Sequence, residues 1–139
     1  MKTYISKSEC DTMKVAAEFA ATLKSGDVVA LFGDLGAGKT AFVRGVASAL
    51  GAGERKVSSP TFTLVNEYDG DLKMFHFDVY RLENATIAEF DWIDEYLFGD
   101  GVCLIEWAEY ISDILPKNYI RVEFERMSEN ERKITIGGR

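Results

Sequence analysis

Apolar positions fall into two kinds of run along this chain. Met13, Ala16, Ala17, Ala20 and Leu23 recur at spacings of three and four, which places them on one face of a helix. Ser8 suits the N-cap, because its hydroxyl accepts an amide of the first turn, and Asp11 complements the positive helix end. The spacing therefore predicts a helix beginning near Glu9, and Gly26 stops the pattern. Residues 27–32 hold Val-Val-Ala-Leu-Phe without interruption, as a strand buried on both faces of a parallel sheet would. A glycine-rich turn follows at 33–38, and a second helix is predicted over 39–50, ended by Gly51.

The next part of the chain is β-rich. Residues 61–68 and 72–80 flank Asp69-Gly70-Asp71, a hairpin signal. Residues 85–97 read as a helix closed by Gly99 and Gly101, and 102–105 as a second buried strand. A short helix is expected over 109–115, stopped by Pro116, and strands over 119–125 and 133–136. Buried strands alternating with helices predict an α/β fold: a three-layer, P-loop NTPase-like domain with a mainly parallel central sheet and an antiparallel β-hairpin. With no repeat, low-complexity segment or linker, residues 1–139 read as a single domain.

Composition narrows the functional classes. Hydrophobic residues at 47% and aromatics at 12% argue against a disordered chain. The net charge of −7 disfavours charge-driven nucleic-acid binding, leaving room for a local basic patch or for RNA held by a partner. The first ten residues lack an apolar signal core, and no apolar run approaches the roughly 18 residues of a membrane span. The expectation is a cytoplasmic protein without a membrane segment. Cys10 and Cys103 make neither a disulfide framework nor a metal cluster, and Cys103, within Val-Cys-Leu-Ile, reads as a small core residue.

The sharpest signal is Gly33-Asp34-Leu35-Gly36-Ala37-Gly38-Lys39-Thr40, which fits G-x-x-x-x-G-K-[ST]. Glycines there let successive amides turn inward and cradle phosphate oxygens. Lys39 supplies a cation to the β- and γ-phosphates, Thr40 a hard oxygen for Mg²⁺, and the following helix, entered through Ala41, its positive end. The pattern arises by accident in roughly one chain of this length in 200, and here it lies between a buried strand and a helix. These residues mark a nucleoside-triphosphate site. Lys39 is expected to be exposed on its loop and to add little to stability.

A P-loop needs an acidic partner at the end of a neighbouring strand, and Val-Cys-Leu-Ile-Glu106 supplies one. Trp107 beside it either covers the phosphate site or packs. Ser58-Ser59-Pro60-Thr61-Phe62-Thr63 is a hydroxyl-rich turn that could also serve as a switch segment. His76, Asp78 and Tyr80 alternate onto one strand face. Of these Asp78 is the better functional candidate, whereas a lone strand histidine is usually structural.

Together, Gly-Asp-Leu-Gly-Ala-Gly-Lys-Thr (33–40), Ser-Pro-Thr-Phe-Thr-Leu-Val (59–65), Glu-Tyr (67–68), His-Phe-Asp-Val-Tyr-Arg (76–81) and Leu-Ile-Glu-Trp (104–107) resemble the bacterial TsaE family, formerly YjeE. The resemblance implies an ATPase of tRNA threonylcarbamoyladenosine biosynthesis, with ATP and Mg²⁺ as cofactors. It would work beside a TsaD-like transferase and a TsaB-like subunit, and would meet tRNA through that complex. By matching position it also implies Lys39 and Thr40 as phosphate and Mg²⁺ residues, Glu106 as the acidic metal-site residue, and catalytic roles for Thr61, Asp78 and Glu106. Family members often carry proline after the Glu-Trp pair, where this chain has Ala108. The adenine site has no motif, and the Ser8–Asp11 lip is a candidate for it. Two other functions compete: a small P-loop kinase and a non-hydrolysing nucleotide switch. The chain has little room for a substrate lid, which disfavours the first. Lys39, Thr40 and Glu106 being all present disfavours the second.

Overall fold

The computed structural model describes residues 2–33, 38–51, 65–78, 99–109 and 115–138, with Val65, Asn66 and Asp78 placed by backbone alone. Its elements are β1 (Lys2–Ser6), α1 (Glu9–Ala20), β2 (Val28–Phe32), α2 (Lys39–Ala49), β3 (Val65–Tyr68), β4 (Met74–Asp78), β5 (Val102–Glu106), β6 (Ile120–Arg126) and β7 (Arg132–Gly138). The strands form a seven-stranded sheet in the order β1-β7-β6-β2-β5-β4-β3. β6, β2, β5 and β4 run parallel as a central group. Antiparallel pairs flank it, β3 with β4 on one side and β6–β7–β1 on the other. The whole is a mixed α/β sheet with a parallel core, and β3–β4 is the expected hairpin.

β2 is apolar throughout and β5 as far as Glu106, because both of their faces are covered, whereas β6 alternates buried apolar with exposed charged residues. Val29, Leu31, Val102, Leu104 and Met74 share one core cluster with Ala16 and Phe19 of α1 and Phe42, Val43 and Val46 of α2. On the opposite face Val28, Ala30, Cys103, Ile105, Phe75 and Phe77 are buried as well. Phe42 ties the helical layer to the sheet, its ring lying 5.6 Å from that of Phe19 and edge-on at 5.3 Å to that of Phe124. The two helices meet closely at Gly45, where an added Cβ would stand 2.7 Å from Ala16 Cβ and 2.8 Å from the Met13 carbonyl oxygen.

Ser8 caps α1 as expected, its hydroxyl accepting from the Asp11 amide at 3.1 Å. The helix stops at Ala20, short of the Leu23 and Gly26 that the spacing suggested. Three-residue turns take over, with Thr22 and Leu23 amides bonded to Phe19 and Ala20 carbonyls, and Leu23 stays buried. β2, β5, β6 and β7 appear within one or two residues of expectation, β7 extending to Gly138. β1 was not foreseen. It adds to the sheet edge by antiparallel pairing with β7, Lys2 opposite Ile136 and Ser6 opposite Arg132. The helix expected over 85–97 and most of that over 109–115 lie outside the described residues.

Candidate active site

Three central strands bring their C-terminal ends to one edge. Leu31 of β2 pairs with Glu106 of β5, and Glu106 with Asp78 of β4, so all three stand at one level of the sheet. β2 leads directly into the phosphate-loop sequence at Gly33. Gly38, at the other end of the loop, takes φ +101° and opens α2 without a side-chain cap. Only glycine adopts that backbone angle freely, and the uncapped start leaves amides of the first turn available to an anion. Thr40 is half-buried in that turn, and Ala41 is buried behind it. Asp34, Leu35, Gly36 and Ala37 lie outside the described residues.

Lys39 is not the exposed loop lysine expected from sequence: it is only 5% exposed. Its Nζ donates to the Gly33 carbonyl at 2.6 Å and lies 4.3 Å from the centre of the Trp107 ring. The ammonium thus bridges the start of the loop and the end of β5. Cation–π attraction of this kind strengthens where water is excluded. Trp107 therefore packs on the phosphate-loop lysine, and it does so from a left-handed backbone, φ +61°, the one non-glycine residue with positive φ among those described. Ala108 is fully buried in the turn that follows.

Glu106 is no solvated acid at a strand end. It is 4% exposed, and its Oε2 lies 2.5 Å from Nε2 of wholly buried His76. His76 sits opposite Leu104 in the β4–β5 register, two residues before Asp78, so it reaches Glu106 diagonally on one face. Its Nδ1 is the one buried side-chain nitrogen or oxygen without a hydrogen-bond partner among the described residues. Periodicity had placed His76 on the face of Asp78, but nothing in the sequence pointed to the contact with Glu106, thirty residues away. The backbone of Asp78 is opposite Glu106, while Thr61 and Arg81 lie outside the described residues.

Other polar side chains of α1 and α2 are engaged elsewhere. Arg44 faces α1, its Nη1 3.9 Å from Glu9. At the Ser8–Asp11 lip, the Ser8 hydroxyl caps α1 and Asp11 Oδ2 accepts the Lys7 amide at 3.0 Å. Among the described residues, no three His, Cys, Asp or Glu side chains cluster as a metal cage. Thr40 and Glu106 fit Mg²⁺ in its commoner mode, where one or two protein oxygens suffice and phosphate and water complete the shell.

A family model described as Threonylcarbamoyl adenosine biosynthesis protein TsaE matches residues 6–134. The chain belongs to the TsaE family. As a TsaE-family chain, it is 48% identical to a Bacillus subtilis protein named tRNA threonylcarbamoyladenosine biosynthesis protein TsaE, over 91% of this chain and 78% of that one. Proteins of the same name from Aquifex aeolicus and Treponema pallidum are 43% and 40% identical, each matched over at least 95% of both chains. The crystal structure of Bacillus subtilis YdiB superposes with a TM-score of 0.80 at 38% identity, covering 99% of this chain and 84% of that one. This TsaE-family fold is thus the nucleotide-binding α/β fold that the phosphate-loop sequence implied.

Proposed function

We propose that this protein is a Mg²⁺-dependent ATPase of tRNA N⁶-threonylcarbamoyladenosine biosynthesis, serving modification at adenosine 37. It works as one cytoplasmic domain beside a TsaD-like transferase and a TsaB-like subunit, and meets tRNA through them. Its relatives, all named for that biosynthesis, support the pathway. The observation that carries the chemistry is the placement of Lys39, whose ammonium is anchored between the Gly33 carbonyl and Trp107, the residue directly after Glu106.

In this reading the loop amides of residues 33–41 and the Lys39 ammonium bind the triphosphate and orient its γ-phosphate. Thr40 and Glu106 are the residues that would hold Mg²⁺, which supplies charge neutralisation along the phosphate oxygens. Asp78, level with Glu106, and Thr61 are assigned to positioning the attacking water. Trp107 covers one side of Lys39 and limits its access to bulk water.

Turnover alone should be slow. Arg44 is turned toward Glu9, so it is not placed as a finger within the chain. Where an arginine is supplied by a partner it accelerates hydrolysis about 10³–10⁵-fold. The charge of −7 suits docking on a basic protein surface. A phosphate-release assay on the protein alone, with the partner pair, and with Arg81→Ala in both settings tests this. Strong stimulation by the pair is expected. Turnover of many per second by the lone protein, unchanged by the pair, would refute partner dependence, and loss of the basal rate in Arg81→Ala would place the finger within the chain. Label appearing on a small acceptor instead of free phosphate would favour the kinase reading.

A further inference from the structure

Beside the phosphate loop lies a buried pair that this chemistry leaves unexplained. A carboxylate taken out of water is tolerated only where hydrogen-bond donors replace its lost hydration. Glu106 has one such partner among the described residues, Nε2 of His76 at 2.5 Å, and the contact occupies a single carboxylate oxygen, Oε2. An imidazole kept only to fill the core would be costly, because its Nδ1 is buried with no partner among the described residues. Leucine would fill much of that space without stranding a polar atom. The feature that histidine adds over an apolar residue at this position is the contact with Glu106.

We propose that His76 is the positioning residue for Glu106: its Nε2–H holds Oε2, restricts the side chain to one rotamer and leaves Oε1 as the oxygen available to Mg²⁺. The proposal rests on the reading of Glu106 as the acidic metal-site residue. Glutamate has one more rotatable bond than the aspartate commoner in phosphate-loop proteins, so its carboxylate needs a tether to hold one place. The parallel β4–β5 register provides it from the adjacent strand. Outer-shell partners of this kind orient a ligand and typically change metal affinity or activity by about 10–100-fold when removed.

His76 is the only histidine, so ¹⁵N-histidine labelling of the intact protein gives one imidazole to follow by NMR. ATP is added first in EDTA, then with excess Mg²⁺. The Mg²⁺ step is expected to shift the ring nitrogens, and Glu106→Gln is expected to abolish that shift. Two variants are compared in parallel, His76→Leu without the donor and His76→Gln with an amide N–H near the place of Nε2. In His76→Leu, ATP affinity in EDTA should stay at the parent value while the Mg²⁺ concentration for half-maximal hydrolysis rises about tenfold or more. His76→Gln should restore most of it, which a purely space-filling role would not require. Unmoved imidazole resonances on Mg²⁺ addition to the parent protein overturn the proposal, as does an unchanged Mg²⁺ requirement in His76→Leu. Should that variant not fold, the NMR titration of the parent protein decides. A Glu106→Gln protein with parent Mg²⁺ dependence overturns the metal-site reading itself, whereas a response confined to Glu106→Gln removes only the role of His76.

Discussion

The Lys39 ammonium lies against the Gly33 carbonyl and the face of Trp107, contacts that an arriving phosphate would share or replace. Because the side chain is buried, removing it touches stability as well as binding. Lys39→Ala should lower unfolding stability by about 1 kcal/mol, the worth of a typical hydrogen bond and cation–π contact. It should also weaken ATP binding by roughly 10–100-fold, since a charged hydrogen bond contributes about 1.5–3 kcal/mol. Calorimetric titration beside a urea melt checks both, and parent-like affinity would remove Lys39 from its role. A second residue-scale expectation concerns thiols. Burial pushes the Cys103 thiol up to about 12, whereas Cys10 is exposed. The thiolate is the reactive form, so at pH 8 a thiol reagent should modify Cys10 alone in the native protein and both cysteines in denaturant. Unfolding frees Cys103 to ionise near its usual value of 9.0, so its contribution to stability is full below pH 9 and is lost as pH rises toward about 12.

Between elements, a tight contact is the crossing of α1 and α2 at Gly45. Alanine is the better helix former by about 1 kcal/mol, so propensity alone favours Gly45→Ala. Packing opposes it: the new methyl would sit 2.7 Å from Ala16 Cβ and 2.9 Å from Met13 Cα, neither at the end of a flexible chain. Forcing atoms into a packed contact costs about 1–3 kcal/mol, so a net loss is expected by urea unfolding. A gain would mean that the helices separate cheaply. Elements were legible where their signal was local. The Ser8 cap, the buried runs of β2 and β5 and the Asp-Gly turn each act within a few residues. β1 was not, because Lys-Thr-Tyr-Ile-Ser is short and half polar, and what makes it a strand is β7, more than a hundred residues away. The early end of α1 is also non-local in part, since Gly26 leaves the helical pattern to bond the Gly101 carbonyl beside β5. The same limit hid the heart of the site. A phosphate loop is contiguous and was readable, whereas the joining of His76 to Glu106 depends on the pairing of β4 with β5, and the burial of Lys39 on where Trp107 points.

At the scale of the molecule, the candidate site collects the ends of β2, β5 and β4 and the start of α2, the elements that also build the core. A ligand that holds them together binds only the folded chain, so it must stabilise the whole domain and not just a loop. Linkage sets the size: at about 100 times its dissociation constant a ligand adds about 2.7 kcal/mol, a rise of roughly 5–10 °C in melting temperature for a chain of this size. Thermal melts across a series of Mg²⁺–ATP concentrations should therefore climb steadily, with no plateau once the site is full. Lys39→Ala should begin slightly lower and climb only at much higher ATP. Gly45→Ala should begin lower and climb by the same increment as the parent, because the clash lies between the helices and leaves the phosphate contacts alone, and effects at independent sites add. A flat series for the parent protein would count against nucleotide binding at this edge of the sheet. A flat series for Gly45→Ala alone would show that the α1–α2 contact and the phosphate loop are coupled through α2.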